Sequence, residues 1–135
     1  MKLKKIYLAI PYRGMEQSSY EQATELTSRI INEYGYNVFS PITHSHPLTR
    51  YGVKGDWEFW QFIDFQFIDW ADEVWVVIPT EGMQKVINSQ GVIAEIAYAD
   101  MNNKKVNFIY TDTDKNITFS PANYNLNTEN LTKLN

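Results

Sequence analysis

The fold is decided by residues 89–99, which read SQGVIAEIAYA. Ser89 is a residue type that caps helix N-termini, and the apolar residues after it recur at helical spacing, so the stretch predicts a helix. It follows residues 73–78, EVWVVI, whose continuous apolar character is typical of a buried parallel strand. A strand, a short polar loop and a helix form one unit of an α/β fold.

Glu95 is predicted to lie on the second turn of this helix. Gly91 precedes it by four residues, so the two share a face, and helical side chains lean toward the helix N-terminus. Glu95 would therefore project over a position without a side chain, beside free N–H groups that attract anions. This arrangement predicts a ligand site that contains an acid. The stretch alone leaves open that Glu95 is solvated and that Gly91 only lets the helix approach its strand.

The alternation of strands and helices extends along the chain on both sides of residues 73–99. Further strands are predicted at residues 5–10, 36–39 and 106–110. A first helix is expected to open with capping boxes at Ser18 and Ser19, to turn Tyr34 inward and to stop at Gly35. A second helix is expected to begin at Asp56 and to carry an aromatic stripe as far as Trp70. The remaining segments, residues 43–55, 80–88 and 111–135, are predicted to be loops, the last with an edge strand near 117–119 and a short helix near 129–134.

Strands that alternate with helices imply right-handed crossovers and a parallel sheet covered on both faces. We therefore expect a single Rossmann-like or flavodoxin-like three-layer α/β domain with four or five strands, formed by residues 1–110. Residues 111–135 are expected to be an extension that packs on this domain or is partly flexible. In such sheets ligands bind beyond the carboxyl ends of the strands, so the loops at residues 11–15, 40–46 and 79–89 are expected to meet at one site.

The composition limits the classes of function. The chain has 135 residues with 44% hydrophobic content, enough for one core, and its net charge of −4 argues against a nucleic-acid groove. It contains no cysteine, which excludes disulfides, thiolate metal sites and a cysteine nucleophile. There is no signal-like segment and no apolar run long enough to span a membrane, so a cytoplasmic protein without membrane association is expected.

Asp64 and Tyr7 are candidates for chemistry because each is a polar group in apolar surroundings. Asp64 is expected at the margin of the buried face of the second helix, where desolvation would raise its pKa and suit it to act as a general acid. The alternative is that Asp64 lies at the solvent-exposed boundary of an amphipathic helix and has no catalytic role. Tyr7 lies in an otherwise aliphatic strand, so its hydroxyl needs a partner, either a site carboxylate or a backbone carbonyl.

Several loop residues are candidates for ligand binding. Arg13 can offer paired donors to a phosphate, and Gly14 beside it allows close approach. His44 and His46 are two residues apart on a segment that is predicted to be extended, so their side chains would point the same way. Because the sequence offers no third metal ligand, we expect the histidines to form hydrogen bonds, and no metal is expected. Trp60 can stack on a base, although an aromatic stripe at helical spacing is usually core.

Taken together, these motifs resemble the nucleoside 2-deoxyribosyltransferase superfamily. The resemblance rests on Ile6–Ala9, on Arg13-Gly14, on Asp64 eight residues before Asp72, and on the pattern Ser89-x-Gly91-x-x-x-Glu95-x-x-x-Ala99. Residues 40–47, SPITHSHP, look closest to a small branch of that superfamily. The similarity spans about residues 5–110.

The resemblance implies an activity and a role for each matching residue. Glu95 matches the nucleophile that attacks the anomeric carbon, Tyr7 the residue that positions it, and Asp64 the residue that acts at the leaving base. Relatives that act on free nucleosides have Asp at the position that matches Ser89, whereas the nucleoside 5′-monophosphate N-glycosidases have Ser. Arg13 also matches the N-glycosidase branch. The resemblance therefore implies a small-molecule nucleotide substrate, no cofactor, and cleavage or transfer of an N-glycosidic bond.

Two other classes of function remain open from the sequence. The chain can be a nucleotide-binding or sensing module of the same fold without turnover. It can also be an interaction protein in which the aromatic helix at residues 57–70 builds a homodimer. A homo-oligomer is expected under the enzyme hypothesis as well, because that helix has more aromatic residues than one buried face needs. Residues 80–88 are expected to be a lid or a specificity insert.

Overall fold

A computed structural model describes residues 1–121, so the short helix predicted near residues 129–134 lies outside the described residues. The elements within residues 1–121 are, in chain order, β1 (Lys5–Ala9), α1 (Glu16–Tyr34), β2 (Asn37–Phe39), α2 (Pro41–Ser45), a 3₁₀ helix (His46–Tyr51), α3 (Trp57–Trp70), β3 (Glu73–Val77), α4 (Met83–Ile87), α5 (Gln90–Met101), β4 (Lys105–Thr111) and β5 (Ile117–Phe119).

The strands form one sheet in the order β2-β1-β3-β4-β5. The first four strands are parallel, and β5 pairs antiparallel with β4 through Ile109–Phe119 and Thr111–Ile117. This is a flavodoxin-like strand order with an added edge strand. The predicted single α/β domain and the predicted edge strand are therefore confirmed.

The side chains of the central strands alternate between two helical layers. On β1, Ile6 and Leu8 pack toward α1, in a core cluster with Leu26. Tyr7 and Ala9 face the other layer and belong to the cluster that includes residues of α3 and α5. Because successive side chains of a strand point to opposite faces, the position of Tyr7 in β1 carries its hydroxyl into the layer that also holds α5.

Helix α1 begins at Glu16, and the prediction that it opens with capping boxes at Ser18 and Ser19 is wrong. Its N-cap residue, Met15, makes no side-chain cap. The two serine hydroxyls have tertiary partners instead, since Ser19 donates to the carbonyl oxygen of Pro11 at 2.5 Å and Ser18 to Glu81 at 2.7 Å. At the other end Tyr34 is 37% exposed, which corrects the prediction that it faces inward.

Two segments predicted to be loops contain helices. Residues 41–51 form α2 and the 3₁₀ helix, where the Ser40 side chain accepts from the N–H of Thr43 at 3.2 Å and Pro41 occupies the first helical turn. Residues 83–87 form α4. None of the helices in residues 1–121 has the length and apolar character needed to cross a membrane.

Candidate active site

A cavity of about 440 Å³ lies beyond the carboxyl ends of β1, β2 and β3. All three loops predicted to meet there contribute to its wall, so the predicted location of the pocket is confirmed. The volume lies within the usual range for small-molecule sites. The residues of the predicted site that line it are Arg13, Trp60, Asp64, Ser89, Gly91 and Glu95.

Two carboxyl groups, those of Asp64 and Glu95, line the buried end of this cavity, and both interact with Tyr7, which is not part of the lining. The Tyr7 hydroxyl of β1 donates a hydrogen bond to Oε2 of Glu95 on α5. Tyr7 is fully buried and Glu95 is 5% exposed. Asp64, on α3, is 7% exposed and also interacts with the Tyr7 hydroxyl. The partner that a buried Tyr7 requires is therefore a carboxylate of the predicted site.

Burial perturbs the ionisation of both carboxyl groups. Desolvation raises the pKa of Asp64 to about 7, although the interaction with Tyr7 acts in the opposite direction. Desolvation and the nearby charge of Asp64 raise the pKa of Glu95 well above its ordinary value, while the hydrogen bond from Tyr7 lowers it. Two neighbouring carboxyl groups whose pKa values are both raised titrate as a coupled pair.

Asp64 lies on the inward side of α3, not at its margin as predicted. It and Ile68 are the buried residues of this helix, whereas Phe59 and Phe62 on the other side are 42% and 67% exposed. Because α3 carries aromatic residues on all sides, its apolar spacing does not identify the inward face. The direction predicted for the pKa of Asp64 agrees with the structure because the side chain is more deeply buried than expected.

Ser89, which is half-buried, and Arg13, which is exposed, line the cavity on its solvent side, which we call its outer end. Ser89 is the N-cap of α5, as predicted, and its side chain accepts from the N–H of Val92 at 3.2 Å. Its hydroxyl proton stays available to a ligand, because a cap uses only the oxygen lone pairs. Within residues 1–121 the exposed Arg13 guanidinium makes no ion pair.

The gap above Gly91 is partly filled by an indole. A Cβ atom added at Gly91 would lie 3.4 Å from Cε3 of Trp57, which lines the same cavity. Trp60 is also in the wall, with its indole N–H donating to the carbonyl oxygen of Lys54 at 2.5 Å. Both indoles therefore line the same cavity as Glu95 and Asp64.

Gly14, His44 and His46 do not line the cavity. Both histidines lie in helical segments, which corrects the expectation of an extended segment. His46 forms a 2.7 Å hydrogen bond between its Nδ1 and the Tyr12 hydroxyl and stacks on Tyr20, while His44 packs on Phe39. In residues 1–121 there is no group of three histidine or acidic side chains that could hold a metal ion.

Lys85 lines the cavity and was missed by the reasoning from sequence. It lies on α4, in the segment that reads as a loop. A cation in the loop after a central parallel strand was the available signal, because such loops border the ligand site.

Comparisons with known proteins agree with this fold. Residues 4–112 match the family described as a domain of unknown function, DUF1937. No curated protein matches the chain. A solved structure of a 2-deoxyribosyltransferase from the psychrotolerant bacterium Bacillus psychrosaccharolyticus is similar, with a TM-score of 0.56 and 23% identity over 81% of this chain and 74% of that chain. This likeness shows a shared fold. The chain belongs to the DUF1937 family.

Proposed function

We propose that this protein cleaves, or transfers, the N-glycosidic bond of a nucleoside 5′-monophosphate. The observation that carries the proposal is the pair of carboxyl groups, Glu95 and Asp64, that lines the buried end of a cavity of about 440 Å³, with the Tyr7 hydroxyl bonded to Glu95. Two carboxyl groups in different protonation states are the equipment that an oxocarbenium-like transition state requires. The name of the structurally similar enzyme, a 2-deoxyribosyltransferase, points to the same class of reaction.

In the proposed first step, a carboxylate oxygen of Glu95 forms a bond to C1′ as the bond from C1′ to the base nitrogen breaks. The electron pair of that bond goes to the base, which takes the proton of Asp64. The Tyr7 hydroxyl donates to Glu95, so it favours the ionised form of the nucleophile, and the mechanism requires that Asp64 holds the proton when the nucleotide binds. In the second step, ionised Asp64 takes a proton from water, whose oxygen displaces Glu95 from C1′. A second base in place of water makes the reaction a transfer.

The outer end of the cavity supports a 5′-phosphate in this proposal. Arg13 offers a cation without an ion-pair partner in residues 1–121, and the Ser89 hydroxyl offers a donor at the N-terminus of α5. Trp57 and Trp60 provide apolar surface for the base.

The test is incubation of the protein with a panel of ribo- and deoxyribonucleoside 5′-monophosphates, followed by mass detection of free base and sugar phosphate. We expect base release by the wild type and none by Glu95→Ala, which should still bind the nucleotide. The substitution Asp100→Ala, on an exposed position of the same helix, is the matched control and should leave the rate unchanged. Full turnover by Glu95→Ala would refute the assignment.

One observation favours a second candidate, a nucleotide-binding or sensing module without turnover. Burial raises the pKa of Glu95 well above its ordinary value, and a protonated carboxyl group binds hydroxyl groups but does not attack carbon. Nucleotide binding in the same panel without release of base from any member would favour this function.

We also propose that the protein is a cytoplasmic homo-oligomer. The exposed aromatic side chains of α3, Phe59 and Phe62, provide apolar surface that a second copy would cover.

A further inference from the structure

Apart from Ser89, the segment between β3 and α5 has no role in the reaction proposed above. It consists of residues 78–89 and contains α4, which brings Lys85 to the wall of the cavity. Like Arg13, the Lys85 ammonium group makes no ion pair within residues 1–121. The cavity is therefore bordered by two cations from two loops, one after β1 and one after β3.

These two strands are direct neighbours in the sheet. Ala9, at the end of β1, pairs with Val76, near the end of β3. The loops that follow them therefore leave the sheet side by side. Ser89, the cap of α5, also lines the cavity and ends the second of these loops. The two cations and the helix cap thus line one cavity from two adjacent loops.

Hydrogen bonds to α1 hold the segment of Lys85 in place. Glu81 accepts from the Ser18 hydroxyl at 2.7 Å and from the Gln22 amide at 3.0 Å, and Gln22 in turn accepts from the N–H of Thr80 at 3.0 Å. These bonds lower the pKa of Glu81 to about 2, so the contact persists at physiological pH. The loop of Arg13 leads directly into the same helix. Both cations are therefore anchored on the first turns of α1.

The acidic residues of the cavity lie on other elements. Asp56 caps α3, where its Oδ1 accepts from the N–H of Phe59 at 2.9 Å, and Asp64 and Glu95 lie at the buried end. A ligand anion avoids these carboxylates, so the remaining favourable position is at the outer end, next to α4 and the loop of Arg13.

We propose that Lys85 is a specificity-determining residue for the 5′-phosphate, which it binds together with Arg13 from the neighbouring loop. The segment containing α4 is then a fixed phosphate clamp, built to distinguish a nucleotide from a nucleoside. This inference rests on the proposed function for the identity of the ligand, but not on turnover. A phosphate dianion contacted by two cations has its charge balanced, which neither cation achieves alone.

The test is equilibrium dialysis of 2′-deoxynucleoside 5′-monophosphates and the matching nucleosides against protein carrying Glu95→Gln, which prevents turnover. Adding Lys85→Ala should weaken monophosphate binding about tenfold or more and leave nucleoside binding unchanged within about twofold. Lys85→Arg should restore most of the monophosphate affinity. Arg50→Ala, which removes an exposed cation outside the cavity lining, is the matched control and should have no effect.

Each other outcome overturns the inference. Equal weakening of both ligands would mean that Lys85 supports the cavity and not the phosphate. Unchanged monophosphate binding in Lys85→Ala, or no monophosphate binding in the parent protein, would mean that Lys85 does not bind the 5′-phosphate. Absence of base release from the wild type would count against the proposed reaction alone, because the dialysis measures binding without turnover.

Discussion

At the scale of single residues, the Tyr7 hydroxyl favours the ionised form of Glu95. Its hydrogen bond lowers the pKa of a carboxyl group that burial raises. We expect Tyr7→Phe to lower kcat/KM about 10- to 100-fold, because a hydrogen bond to a charged group contributes about 1.5–3 kcal/mol. The rise of kcat/KM with pH, which reports ionisation of Glu95, should shift to higher pH. Tyr110→Phe, on β4 outside the cavity, is the control, and an unshifted profile in Tyr7→Phe would contradict the role.

Asp64 should make the stability of the protein depend on pH. Its pKa is raised from 3.8 to about 7 in the folded state, so the folded protein binds more protons than the unfolded chain between these values. The contribution of Asp64 is therefore fully present below pH 4 and is lost as the pH rises through 7. We expect the free energy of unfolding to fall between pH 5 and pH 8, and Asp64→Asn to reduce this slope.

Urea denaturation at a series of pH values measures this effect. Each unit of pKa difference corresponds to about 1.4 kcal/mol, so the change in slope is large enough to detect. Asp100→Asn, an exposed substitution, should leave the slope as it is in the wild type. A wild-type slope in Asp64→Asn would mean that the carboxyl group is not desolvated.

At the scale of elements, α5 combines a structural cap with a candidate ligand contact. Ser89→Ala should destabilise the protein by about 1 kcal/mol, because the N–H of Val92 loses its acceptor. Ser89→Asp keeps an acceptor and should keep the stability, but its charge should repel a phosphate and so reduce kcat/KM for monophosphates relative to nucleosides. Thermal unfolding and the substrate panel separate the two effects. Equal loss of both substrate types in Ser89→Asp would contradict phosphate recognition at Ser89.

The elements that were predictable from sequence are those whose own pattern is continuous. The runs at residues 5–10 and 73–78 and the cap at Ser89 match β1, β3 and α5 to within one residue. The start of α1 was not predictable from the local pattern. The Ser18 hydroxyl bonds to Glu81, which is distant in sequence, and the Ser19 hydroxyl bonds to the carbonyl oxygen of Pro11, which lies outside the helix. The inward face of α3 was not predictable either, because aromatic residues surround the helix and only packing against the sheet selects Asp64 and Ile68.

At the scale of the whole molecule, the exposed aromatic side of α3 predicts self-association. Phe62 is 67% exposed, and we expect Phe62→Asp to shift the mass measured by light scattering from an oligomer to a monomer. The control is Met101→Asp, at a position that is 80% exposed on α5. A wild type that is monomeric at all concentrations would contradict the prediction.

The location of the site followed from topology, whereas its contents followed only in part. Parallel strands bring the loops after β1, β2 and β3 together, so residues far apart in sequence, such as Arg13 and Ser89, were expected to share one pocket. Sequence did not reveal that His44 and His46 lie in α2 and the 3₁₀ helix and are not part of its lining. Nor did it reveal that Trp57 covers Gly91, a contact between residues separated by 34 positions.

The most direct test of the account is the location of a covalent intermediate. The protein is mixed with a 2′-deoxynucleoside 5′-monophosphate that it cleaves, quenched in acid within the first turnover, digested and analysed by mass spectrometry. The account predicts a peptide that contains Glu95 and is heavier by one deoxyribosyl phosphate group. An adduct on another residue, or rapid base release with no adduct and no loss of rate in Glu95→Ala, would contradict it.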